Sequence, residues 1–218
     1  MNGFGLLVFD WDGTLMDSEE RIVSSVNAAI AELGLPSRSR AAIRDIIGLG
    51  LPEAMQALYP GLGAQACAAL IDRYRDHFLA EAGSPMPLFP GAAETLATLR
   101  AEGFVLAVAT GKSRRGLSRA FDQTGLGTHF ESSRCADETH PKPHPAMLLE
   151  LAEELSVAAE RIVMIGDTTH DLEMAAAAGS SGIGVTYGAH PREQLAACEP
   201  LLLAASVGEL RRWLQANG

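Results

Sequence analysis

The sequence predicts an α/β fold: a Rossmann-like three-layer α/β/α parallel-sheet core with an α-helical cap domain inserted after its first strand. Three observations carry this. The run Phe4 to Phe9 (FGLLVF) is short, apolar and bounded by Gly and Asp, as a strand buried on both faces would be. Residues 16–86 then show apolar residues at helical spacing only. Beyond Pro87, strand-like and helix-like segments alternate, the pattern of a parallel sheet covered on both faces by helices.

Each element follows from local signals. In Ser18 to Leu33, Ile22, Val26 and Ile30 mark one helix face, and Gly34 with Pro36 marks the stop. A second helix is expected over Arg40 to Ile47. Pro52 opens a third as a first-turn proline, and Ala66, Leu70, Tyr74, His77 and Phe78 pattern a fourth. The stretch from Gly83 to Pro87 punctuates the chain. Helices are then expected from Pro90-Gly91 to Glu102, over Ser113 to Gln123, Pro145 to Leu155, Asp171 to Ala178 and Val207 to Gln215. Strands are expected over Phe104 to Ala109, Phe130 to Ser133, Arg161 to Ile165 and Gly182 to Thr186, with a short apolar piece at Leu201 to Leu203. The expected division is therefore 1–15 and 87–218 as core and 16–86 as cap.

Composition narrows the function. A length of 218 residues suits one large domain, or a core with a smaller appended one. The net charge of −10 argues against broad nucleic-acid binding, which needs basic surface to displace counterions. No run approaches the roughly 18 apolar residues of a membrane span, and Met1-Asn2-Gly3 begins no signal peptide. A cytoplasmic protein with no membrane or nucleic-acid partner is expected, as monomer or homodimer. Cys67, Cys135 and Cys198 are scattered without C-x-x-C, so buried free thiols are expected rather than disulfides or zinc ligands.

In an open parallel sheet, ligands bind beyond the carboxyl ends of the strands. The first strand is followed there by Asp10 and Asp12, the second by Thr110-Gly111-Lys112, and a later one by Asp167 and Asp171; Lys142 lies in the loop His140-Pro-Lys-Pro-His144. Neighbouring carboxylates repel and need a cation, a shared proton or water. Magnesium favours a few carboxylates plus substrate phosphate. Phosphate needs donors of the kind Thr110, Lys142 and backbone N–H groups supply. A second carboxylate near a nucleophilic one can protonate a leaving oxygen and activate water.

With Phe9-Asp-Trp-Asp-Gly-Thr-Leu-Met-Asp17, Ala109-Thr-Gly-Lys112, Lys142-Pro143 and Gly166-Asp-Thr-Thr-His-Asp171 in this order, the chain resembles a haloacid dehalogenase (HAD) superfamily phosphatase of the phosphoglycolate phosphatase-like branch. The resemblance implies Asp10 as the nucleophile that forms an aspartyl-phosphate and Asp12 as general acid and base. It implies Mg²⁺ held by Asp10, the Asp12 carbonyl and Asp167. Thr110, Gly111 and Lys142 would hold the phosphoryl group of a small phosphorylated metabolite, with Asp171 orienting Lys142 or reaching the metal through water. The expected activity is hydrolysis of a phosphomonoester, with 2-phosphoglycolate the first substrate to consider. Pyrophosphatase, phosphoglucomutase-like transfer and a non-catalytic receiver-like role are the alternatives. Trp11 stands where that family has aliphatic residues; its side chain is expected to point away from the site.

Other features have plainer readings. Thr110 can cap the following helix. Gly111-Lys112-Ser113 echoes a P-loop, but the glycine required five residues before Gly111 is Leu106. Lys112, Arg114, Arg115 and Arg119 read as a solvated helix face. Asp17 and Glu20 resemble a capping pair, and His140, His144 and His170 read as structural. The glycines of Ile47-Gly-Leu-Gly-Leu-Pro52 can bring backbone close to a ligand as the cap closes.

Overall fold

The computed structural model describes residues 3–80 and 86–218. One parallel sheet contains β1 (Leu6–Phe9), β2 (Leu106–Thr110), β3 (Ser132–Cys135), β4 (Ile162–Gly166), β5 (Ser181–Val185) and β6 (Leu202–Ala204), in the order β3-β2-β1-β4-β5-β6. The first strand in sequence is thus central, with Leu7 opposite Leu106 on one side and Leu6 opposite Ile162 on the other. Strand order reverses between β1 and β4, which opens a crevice beyond their carboxyl ends.

The alternation of side chains along buried strands divides the core in two. Leu7, Phe9, Val108, Val163 and Ile165 face one side, against α5 (Ala92–Ala101), α6 (Arg114–Thr124) and α10 (Val207–Asn217). Leu6, Val8, Ala107, Ala109, Ile162 and Met164 face the other, against α7 (Ala146–Glu154) and α8 (Thr169–Ala177). Both faces are covered, so these strands carry continuous apolar runs. A short α9 (Arg192–Ala196) joins β5 to β6.

Between β1 and α5 lie α1 (Glu19–Glu32), α2 (Arg40–Arg44), α3 (Leu51–Leu58) and α4 (Ala64–Ala80). They bury a cluster of their own, including Val26, Ile30, Ile43, Met55 and Leu70. Gly34 ends α1 in the left-handed conformation at φ 63°, and Leu35 N returns to Ile30 O at 3.0 Å. The expected break at residues 83–85 lies outside the described residues. No helix among the described residues is long and apolar enough to cross a membrane.

The elements depart from expectation where their signals are weak. The third strand sits at Ser132–Cys135, further along than expected, because an edge strand reading SSRC has little apolar signature. The second helix stops at Arg44, and α8 begins at Thr169 because Thr168 is its N-cap. Asp17 does not cap α1: it is exposed, and Ser18 takes the N-cap position. Cys67, Cys135 and Cys198 are free thiols.

Candidate active site

Asp10 follows β1 directly and is buried, with its N–H bonded to Ile165 O at 2.9 Å. The chain then turns sharply, with Trp11 O accepting from Leu15 N and Met16 N at 3.0 Å each. Gly13 permits the turn at φ 80°, where a Cβ would also collide with the Asp167 carboxylate. Trp11 points away from the site as expected, packing against Phe121 at 5.3 Å and Phe130 at 6.5 Å between ring centroids. Asp12 turns elsewhere. Its carboxylate accepts from Ser18 Oγ at 2.6 Å and meets Lys112 Nζ at 2.7 Å.

The loop after β4 supplies Asp167 and the first turn of α8 supplies Asp171, both fully buried. Thr14 Oγ1 donates to Asp167 Oδ1 at 2.8 Å, and Ala189 N to Oδ2 at 2.7 Å. Asp171 forms a capping box with Thr168, receiving its N–H at 3.1 Å and its hydroxyl at 2.7 Å. The other Asp171 oxygen lies 2.6 Å from Lys142 Nζ, which also stands 2.7 Å from Asp10 Oδ1. Lys142 therefore joins the first strand's aspartate to the fourth strand's.

Burial pushes the Asp10 carboxyl up to about 7; Lys142 pulls it back, while Asp171 and Asp12 add repulsion. Burial likewise raises Asp167, with the charges of Asp10 and Asp171 contributing. Burial alone would lower Lys142, but the charges of Asp10 and Asp171 outweigh it and hold the ammonium above its ordinary range.

The donor set suits a hard divalent cation. Carboxylate oxygens of Asp10, Asp167 and Asp171 lie within 4.8 Å of one another. Asp10 Oδ2 has no hydrogen-bond partner among the described residues, and Oδ1 meets only the Lys142 ammonium, at 2.7 Å. Three buried carboxylates against one buried ammonium leave a negative excess that a divalent cation would neutralise. Oxygen-only ligands of this kind fit Mg²⁺.

At the end of β2, Thr110 is fully buried and its hydroxyl accepts from Lys112 N at 3.2 Å. It does not cap α6; Ser113 does, accepting from Gly116 N at 3.3 Å. At Gly111 an added Cβ would stand 2.5 Å from Gly48 O and Leu49 O, so the glycine-bearing loop of the helical block rests against the strand end. One cavity of about 430 Å³ runs from Asp10, Asp12 and Thr110 out between this loop and α6.

The expected site residues thus converge: Asp10, Lys142, Asp167 and Asp171 meet directly, and Thr110, Gly111 and Asp12 line the adjoining cavity wall or its neighbourhood. The basic face of α6 divides. Arg114 binds Glu138 and Ser133, Lys112 binds Asp12, and Arg115 and Arg119 line the cavity. His144 Nδ1 accepts from Ala146 N at 3.2 Å at the start of α7, a structural contact. His170 meets Asp45 O at 3.0 Å, tying the start of α8 to the helical block. Sequence reasoning missed Thr14, Ser18 and Thr168 as partners of the site aspartates. Only Thr168 carried a readable signal, the spacing Thr-x-x-Asp of a capping box.

A family model described as haloacid dehalogenase-like hydrolase matches residues 7–185. The chain is 39% identical over 209 residues to the "Probable phosphatase IndB" of Dickeya dadantii, covering 94% of this chain and 91% of that protein. It is 32% identical over 224 residues to a phosphoglycolate phosphatase of Vibrio cholerae, covering 96% of each. Among solved structures it is similar to a predicted phosphatase from Clostridium acetobutylicum, at 25% identity and a TM-score of 0.87 over 98% of this chain and 99% of that one. The aspartates gathered beyond β1 and β4 are thus set in a fold and a sequence shared with phosphatases, and the chain belongs to the haloacid dehalogenase-like hydrolases, on their phosphatase branch.

Proposed function

We propose that the protein is a Mg²⁺-dependent phosphatase that hydrolyses a small phosphomonoester through an aspartyl-phosphate on Asp10. The observation that carries this is the Asp10 carboxylate: buried, with Oδ1 on Lys142 and Oδ2 unpartnered among the described residues, opening on the cavity and set beside Asp167. Asp10, Asp167 and the Asp12 carbonyl would hold the cation, with Asp171 beside them. When bound, Mg²⁺ would neutralise charge on Asp10 and the phosphoryl oxygens.

The residues divide the work. Lys142, Thr110 and the Gly111 backbone hold the phosphoryl group in line with Asp10. An Asp10 oxygen bonds to phosphorus as the ester P–O bond breaks, and the departing alkoxide takes a proton from Asp12. Water then gives its proton to Asp12 as it attacks phosphorus; the bond to Asp10 breaks and phosphate leaves. Residues 16–86 act as the cap that excludes bulk water during transfer.

The test is phosphate release from 2-phosphoglycolate, pyrophosphate and a panel of sugar and nucleotide monophosphates, with Mg²⁺ and with chelator. Metal-dependent release lost in Asp10→Asn supports the reading. Full activity in that variant would remove Asp10 as nucleophile, and no release from any ester would remove the hydrolytic reading.

A further inference from the structure

The cavity is not shaped for glycolate. Its volume of about 430 Å³ falls within the roughly 300–1,000 Å³ typical of pockets for drug-sized ligands. Beyond Asp10 and Thr110 its wall is largely apolar, with Ile47, Leu51 and Met55 from the helical block and Phe78 from α4. A two-carbon acid offers such a wall almost nothing to desolvate. Its carboxylate would reach the cations of the wall only by leaving the apolar stretch unfilled.

The charges define the other end. Lys142 is taken up by Asp10 and Asp171, and Lys112 by Asp12. Arg75, also on the lining, pairs with Asp72 at 3.5 Å. Arg115 and Arg119, one turn apart on α6, line the cavity with no ion-pair partner among the described residues. Arg115 is exposed and Arg119 half-buried, whereas Asp10 and Thr110 are buried. These two cations therefore stand nearer solvent than the buried phosphoryl site, on a cavity whose remaining wall is largely apolar.

Resting on the phosphatase reading above, we infer that the substrate is a phosphomonoester with an extended aromatic or branched apolar alcohol carrying an anionic group at its far end. The ring or branch fills the space between Ile47, Leu51, Met55 and Phe78, and the anion pairs with Arg115 and Arg119. The phosphate end is placed by the residues already described.

The test compares ethyl phosphate, 2-phosphoglycolate, 2-phenylethyl phosphate and 4-(2-phosphonooxyethyl)benzoate; its two aromatic esters and ethyl phosphate are all esters of primary alcohols. Binding of ethylphosphonate and 2-phenylethylphosphonate, read by calorimetry, reports on the pocket without turnover. Burial of the ring should raise kcat/KM about tenfold or more for 2-phenylethyl over ethyl phosphate, with a matching gain in phosphonate affinity. The benzoate ester should be better still. In the double variant Arg115→Gln, Arg119→Gln, the kcat/KM ratio of the benzoate ester to 2-phenylethyl phosphate should fall about tenfold. A preference for 2-phosphoglycolate, or equal phosphonate affinities, would overturn this inference and leave the phosphatase reading standing. Tighter binding of the aromatic phosphonate with no phosphate released from any ester would overturn the hydrolytic reading and support the pocket assignment.

Discussion

The Lys112 ammonium lies 2.7 Å from Asp12 Oδ2, while Ser18 Oγ donates to Oδ1 at 2.6 Å. Both oxygens of the proposed acid/base are thus held from different elements, one following β2 and one opening α1. Replacing Lys112 with Met removes a charged partner from a carboxylate that must meet a leaving oxygen. The expected result is a fall in kcat of about tenfold with a smaller change in KM. Steady-state kinetics on one ester decides it, and an unchanged kcat would show that Ser18 alone suffices.

The buried aspartates make the metal-free protein sensitive to alkali. Burial raises Asp10 to about 7 from an ordinary value of 3.8, so the folded state retains a proton that the unfolded chain releases. That contribution to stability is complete below about pH 4 and is lost as pH rises through about 7. The metal-free melting temperature should therefore carry a falling component from about pH 4 to about pH 7 that levels off above it, diminished in Asp10→Asn. Added Mg²⁺ should raise the melting temperature more at pH 8 than at pH 6, where it competes with a proton. Thermal melts with chelator and with Mg²⁺ at both pH values test this; an equal rise at the two would contradict it.

Gly111 admits the Gly48 and Leu49 carbonyls where a Cβ would stand at 2.5 Å. Gly111→Ala must push this loop back from the strand end. A displacement near 1 Å beside the phosphoryl site should lower kcat/KM by about a hundredfold. The melting temperature should change little, since the loop moves rather than the core. Kinetics within twofold of the parent would show that the contact has no part in catalysis.

Gly13 faces a harder constraint. Its φ of 80° disfavours other residues, and a Cβ there would run into Asp167, a fixed carboxylate rather than a flexible tip. Gly13→Ala should cost at least about 2 kcal/mol in urea unfolding and abolish activity. A loss below about 1 kcal/mol would mean the turn relaxes easily.

Much of this architecture was legible because its signals are local. Leu6 to Phe9 and Ile162 to Ile165 are apolar runs between punctuating residues, as buried parallel strands require. Asp10, Thr110 and Asp167 could be placed together because parallel strands deliver their ends to one edge. The missed features depend on which partner a polar side chain finds in the fold, or on elements too short to pattern. Ser18 looks like a helix cap, yet its hydroxyl goes to Asp12. Arg115 and Arg119 look like Arg114, but only Arg114 finds Glu138. The five-residue α9 is too short for periodicity to register.

The central position of β1 also governs how the chain can assemble during synthesis. Leu6 to Phe9 leave the ribosome well before their partners, which are Leu106 to Val108 and Ile162 to Ile165. Helices α1 to α4 can gather their own apolar cluster early from contacts close in sequence. The first strand must wait, with its apolar side chains and backbone groups unpaired, until most of the chain has been made. A strand fully buried in the fold is therefore left exposed in the nascent chain, and chains stopped before β4 should be the aggregation-prone ones.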